Sequence, residues 1–258
     1  MSLFGSPRYA DGDRIEVDGA AVRLKVSGRA RRVSLRLDTA RREVVATAPN
    51  LRRLSEAAAF AVERRAWIAA RLAELPQAAP LAPGALIEVL GQPCRLERAP
   101  GRPRWRGAEA GEPQRLIVSG EGEAYTRAVV RALKAEAGRV LTERTQAWVQ
   151  VLGQSMPVLS ITDPRARWGS CRPARTAGLG AAGFGAAVEV GRIRYSWRLV
   201  LATYPVMDYV AAHECAHLIE ANHSPRFWAV VHDLVGDHRP HRAWLRDNGQ
   251  RLHAFGRG

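Results

Sequence analysis

The chain has 258 residues, 47% of them hydrophobic, enough for one large domain or two small ones with a real core. No run approaches eighteen apolar residues and the opening residues have no apolar stretch, which speaks against a membrane span and a secretory signal; three scattered cysteines (Cys94, Cys171, Cys215) speak against a disulfide framework and for a reducing, cytoplasmic setting. The formal charge is +14, yet only Lys25 and Lys134 among the 39 basic residues are lysines, so the surplus has two readings: a footprint for nucleotides or nucleic acid, and GC-rich coding that favours Arg, Ala, Gly and Pro.

In chain order, residues 14–48 read as β. Apolar residues alternate on either side of Asp18-Gly19, a hairpin signal, and again in 33–37 and 43–47. Residues 23–42 hold eight basic residues against one acid, Asp38, as expected for the solvated side of a sheet. Residues 54–75 read as one helix with Ala58, Val62, Trp67, Ile68 and Leu72 inward, and Pro-rich 76–84 as a connector. Strands return within 86–118, interrupted by an exposed loop carrying Arg104-Trp105-Arg106. Residues 123–152 form a long helix burying Val129, Leu133, Val140, Leu141 and Trp148, and 156–162 form a strand.

The stretch 176–191 is rich in Gly and Ala. Gly178 to Gly183 matches G-x-G-x-x-G, but no strand precedes it and no ribose-binding acid follows at the right distance, so a loop is expected. Residues 193–201 read as a strand and Tyr204-Pro205 as the entry to a helix. Phe227, Trp228 and Val231 line a short helix ended by Gly236, and 239–252 make the last helix. No internal repeat stands out. The expected division is a β-rich region 1–120 with one helix, followed by a second domain, 121–258.

The chemistry is concentrated after residue 208. All seven histidines lie at or beyond position 213, and His213-Glu214-Cys215-Ala216-His217 is H-E-x-x-H. Residues four apart share a helix face, so His213 and His217 can aim at one metal ion, with Glu214 beside the water that ion would hold. Asn222 is the expected helix terminator, and Ser224-Pro225 starts the next helix. The turn between them would bring His223 back as a third ligand. His232, His238, His241 and His253 are the other candidates, and an oxyanion-stabilising group among His238, His241, a Tyr or an Arg is not selected by the sequence. Cys215 falls on the opposite side of the helix, facing the core.

Arg167-Trp-Gly-Ser-Cys171, Trp197-Arg-Leu-Val-Leu201, Asp208-Tyr-Val, His213-Glu-Cys-Ala-His-Leu and Asn222-His-Ser-Pro-Arg-Phe-Trp228 together resemble the YgjP-like (DUF45) metallopeptidase family, grouped with the M48 and SprT-like zincins. The resemblance is strongest over 160–252 and extends less specifically to Trp67-Ile68 and Leu90-Gly91. It implies an α+β fold: a zincin-like domain with a β-rich N-terminal part. It implies Zn2+ on His213, His217 and His223, Glu214 as the catalytic base, and a protein or peptide substrate. By analogy with zincins, the substrate would lie as an added strand along Arg167, Trp168, Gly169 and Ser170. Two alternatives accompany it: a nucleoside triphosphate (UTP) pyrophosphatase, as described for a member of the family, and a DNA-associated protease of the SprT-like kind, against which the lack of paired cysteines counts. The sequence departs from the family in a longer 176–191 segment and in Cys215 where Leu is usual. No membrane partner is expected, and the oligomeric state is open.

Overall fold

Asp18-Gly19 sets a two-residue hairpin. Both residues take positive φ (49° and 78°), and this turn has the hand of twist that paired strands need. A computed structural model describes residues 9–38, 41–74, 81–109, 111–164, 167–176 and 188–256. The chain forms two units, Met1–Gln77 and Ala78–Gly258.

In the first unit the hairpin joins β1 (Arg14–Val17) to β2 (Ala20–Val26); β3 (Ser34–Asp38) and β4 (Glu43–Ala48) complete a sheet of order β1-β2-β4-β3. The pair β2–β4 is parallel and the others antiparallel. Period-two alternation turns Val22, Leu24, Val44 and Ala46 onto α1 (Leu54–Glu63), whose small residues Ala57 and Ala61 allow close approach. The single helix expected over 54–75 is interrupted at Arg64, and α2 (Arg65–Ala73) follows it. α1 buries the face of Leu54, Ala57, Ala58 and Ala61, which leaves Val62 50% exposed, and after the break α2 buries Ile68 and leaves Trp67 38% exposed.

The second unit opens with β5 (Leu86–Val89), β6 (Gln92–Arg98), β7 (Arg104–Arg106) and β8 (Gln114–Val118), in the order β5-β6-β8-β7. Arg104-Trp105-Arg106 is thus a strand, with Trp105 packed on the core. This sheet repeats the first. Ala10, Gly12, Ile15, Glu16, Val17, Gly19, Arg23 and Leu24 recur 72 positions later as Ala82, Gly84, Ile87, Glu88, Val89, Gly91, Arg95 and Leu96. Backbone bonds recur with them: Gly12 N to Leu24 O (2.9 Å) as Gly84 N to Leu96 O (2.7 Å), and Leu24 N to Asp13 O (2.7 Å) as Leu96 N to Ala85 O (2.9 Å). A repeat is therefore present where none stood out. Few identities carry it, and the offset falls to 70 by the last strand, where Ser27 N to Ala48 O becomes Ala99 N to Val118 O.

The division between units falls at residue 77, not near 120, because Leu96, Leu116 and Val118 share one apolar core with Val129, Leu133 and Leu141 of α3 (Gly122–Val151). Beyond α3, β9 (Val158–Thr162), β10 (Gly169–Arg172) and β13 (Arg192–Ser196) form a sheet of order β10-β13-β9, with β11 (Arg175–Thr176) paired to β12 (Val188–Glu189). The Gly178–Gly183 motif lies outside the described residues. The strand expected over 193–201 stops at Ser196, and Trp197–Leu201 coils into a 3₁₀ helix. The reason is distant in sequence: the buried Arg198 guanidinium donates to Phe255 O and pairs with Asp163. α4 (Tyr204–Ala216), α5 (Pro225–Val235) and α6 (Arg239–Ala254) follow, giving an α+β fold consistent with a zincin-like domain and a β-rich N-terminal part. No described helix is long and apolar enough to cross a membrane.

Candidate metal centre

α4 is held at its N-terminal end and along its flank. Leu90, at the tip of the β5–β6 hairpin, donates its N–H to Val200 O (2.8 Å) and accepts from Tyr204 N (3.3 Å). Leu90 itself takes positive φ (54°), and Gly91 packs on Thr203. On the flank, Asp208 accepts from Arg144 Nε and from Trp148 Nε1, both at 2.7 Å, tying α4 to α3. Buried Met207, Val210, Ala211 and Cys215 face the core, Cys215 as expected from its position on the helix.

The helix ends at Ala216, earlier than an Asn222 terminator would give. His217 is its C-cap, and a tight turn carries Leu218 to Glu220, with Glu220 N donating to Ala216 O. Ser224 then caps α5 by accepting from Phe227 N (3.2 Å), which fixes the path of the chain through His223. The result is convergence: one ring nitrogen from each of His213, His217 and His223 lies within 4.8 Å of the others. Nε2 of His213 and Nε2 of His223 are 3.1 Å apart.

Neighbouring groups orient these rings. His217 Nδ1 donates to Glu220 O at 3.0 Å, which leaves Nε2 as the ring's free lone pair. His213 Nδ1 faces the Tyr209 hydroxyl at 3.4 Å. Phe227 lies under all three imidazoles, with ring centroids 4.4 to 4.9 Å away, and Trp228 stacks on His223. Burial lowers the pKa of His213 to about 3, helped by His217 and His223; burial lowers His217 as well. Three imidazole nitrogens brought this close together, in an aromatic setting, are a donor set suited to a divalent cation such as Zn2+.

Glu214 is 5% exposed, and its Oε2 has no hydrogen-bond partner among the described residues. A buried carboxylate oxygen without a donor is costly unless something binds there. Burial raises its pKa to about 8, against the pull of the Arg167 guanidinium. The other face of this carboxylate rests on Gly169 of β10.

The expected substrate residues separate by role. Gly169 touches Glu214, while Arg167 and Ser170 line an adjoining cavity. Trp168 turns away: its ring stacks on His253 at 4.3 Å and packs on Gly249 of α6. Of the proposed oxyanion candidates, His238 stacks on Trp228 (4.5 Å) and on Tyr209 (6.3 Å), and His241 stacks on Tyr209 (5.6 Å). Tyr209, present in the sequence as part of Asp208-Tyr-Val, stands four residues before His213 and shares its face, a spacing that points to the contact between them.

The family model for the YgjP-like metallopeptidase domain matches residues 31–248, most of the chain. Comparison with curated proteins and with solved structures gives no match.

Proposed function

The chain belongs to the YgjP-like metallopeptidase-domain family, and from that premise we propose that it is a zinc-dependent peptidase acting through His213, His217, His223 and Glu214. The observation that carries this reading is the convergence of three imidazole nitrogens, with Glu214, the residue next to His213 on α4, holding a buried carboxyl oxygen that has no partner among the described residues. His213, His217 and His223 would hold the zinc, which supplies Lewis acidity to polarise a peptide carbonyl and acidify a water. Glu214 takes a proton from the attacking water and returns it to the leaving amine nitrogen. Burial beside Gly169 keeps bulk water from competing for that oxygen.

The substrate would lie extended along β10, the edge of its sheet among the described residues. Main-chain groups of Gly169, Ser170 and Cys171 would pair with it, and Gly169 would bring its backbone close to Glu214. The setting is the cytoplasm, a reading supported by Cys94, Cys171 and Cys215, which are free thiols.

The test is Glu214→Gln. This variant should keep its zinc and lose cleavage of casein or of a peptide library. Cleavage at the wild-type rate would end the general-base assignment.

A further inference from the structure

Gly169 packs on Glu214 and also lines a cavity. The cavity measures about 510 Å³ and is lined by Thr162, Asp163, Arg167, Gly169, Ser170 and Arg194. Its volume falls within the range of small ligand sites. Two of the lining groups are already committed: Thr162 Oγ1 donates to Tyr195 O, and Asp163 pairs with Arg198. Arg167 and Arg194 have no ion-pair partner among the described residues and are exposed to the cavity's solvent. Ser170 lies directly across from Arg194 in the β10–β13 pairing, so their side chains share the outward face of the sheet. Arg192, two residues along β13, stands on that face too and extends the positive charge.

A concave wall of two guanidinium groups and a hydroxyl recognises a carboxylate, because a planar fork donates two parallel bonds to its two oxygens. Position adds a second argument. An extended peptide on the β10 edge would point every other side chain to the outward face, next to this cavity. We propose that the cavity is a specificity pocket for an acidic side chain of the substrate, Asp or Glu, seated against Arg194 and Arg167 beside the bond to be cut. The proposal rests on the peptidase reading for the direction of the chain, and on the cavity itself for its charge preference.

Binding can be read without turnover, in the full-length Glu214→Gln protein. Labelled peptides with a single Glu walked along a neutral sequence, each with a Gln counterpart, are followed by fluorescence anisotropy. At one register the Glu peptide should bind about tenfold more tightly than its Gln counterpart. Arg194→Ala should bring the two to parity, and Arg194→Glu should favour a Lys peptide at the same register. Arg194 is exposed, so circular dichroism should report an unchanged fold. Failure of any peptide to bind, no Glu preference at any register, or a preference that survives both Arg194→Ala and Arg167→Ala overturns the proposal. So does inorganic phosphate or an oligonucleotide that occupies the cavity in preference to the peptide, in an Arg194-dependent way. A wild-type protein that cuts peptides without acid preference removes the pocket alone. Arg194-dependent binding of acidic peptides that are never cut removes the peptidase reading and leaves the pocket.

Discussion

Gly169 and Glu214 meet with no room for a side chain between them: a Cβ at position 169 would lie 2.3 Å from Oε1 and 2.6 Å from both Cγ and Cδ of Glu214. Real Cβ atoms do not approach so closely, so the carboxylate holds its place because residue 169 is glycine. Gly169→Ala should therefore displace the carboxylate while the histidines stay put. The expected outcome is unchanged zinc content with turnover reduced about 100-fold, the cost of moving a reacting group by roughly 1 Å. Wild-type turnover in this variant would show that Glu214 does not act from its present position.

Tyr209 faces His213 Nδ1 at 3.4 Å and stacks on His241. Groups of this kind hold a ligand ring in the right tautomer, and their loss usually costs about tenfold in metal affinity. Tyr209→Phe keeps the packing and removes the hydroxyl, so zinc affinity should fall by about that factor with the fold intact. A chelator-competition titration reads it directly; an unchanged affinity would leave Tyr209 a packing residue only.

Asp208 receives donors from Arg144 and Trp148, both on α3, and so braces the helix that carries His213 and His217. Asp208→Ala leaves these donors without their acceptor. The loss should be about 2 kcal/mol, or roughly 4–8 °C in the unfolding temperature of the second unit. A shift of less than a degree would mean that α4 is held by its apolar face alone.

Glu43 supplies a pH dependence far from the metal centre. It is almost fully buried, and although burial pushes its carboxyl pKa upward, the Arg23 and Arg14 guanidinium groups outweigh this and hold it below the usual value. A group depressed on folding stabilises the native state above its unfolded pKa, and that stabilisation is lost as pH falls through the folded pKa. Glu43→Gln should thus destabilise the first unit by about 1–3 kcal/mol near neutrality. The gap between variant and wild type should narrow as pH falls below the ordinary carboxylate range and through the depressed pKa of Glu43, and a gap independent of pH would contradict the pairing.

What the sequence made legible was local. Four-residue spacing put His213 and His217 on one face, and Ser224-Pro225 marked the helix start that returns His223 to them. Asp18-Gly19 named its own turn. What escaped depends on partners far along the chain. Gly169 is 45 positions from Glu214, and no spacing rule links a strand glycine to a helix carboxylate. The end of β13 at Ser196 is imposed by Asp163 and Phe255 O on Arg198. Arg64 breaks a helix that propensity alone would continue, since nothing in its neighbours is a helix breaker. The repeat of the two four-stranded sheets is visible in backbone bonds, because turn glycines and a few apolar positions are all that the pattern requires.

The most direct test of the account is a zinc titration of the metal-stripped protein against a chelator of known affinity, run for wild type and His223→Ala. His223 is exposed, so its loss should not unfold the chain. The wild-type chain should bind one zinc, with affinity in His223→Ala weaker by at least about 100-fold, more than a supporting residue costs. A wild-type chain that binds no zinc, or a His223→Ala chain that binds it as tightly as before, would contradict the three-histidine centre.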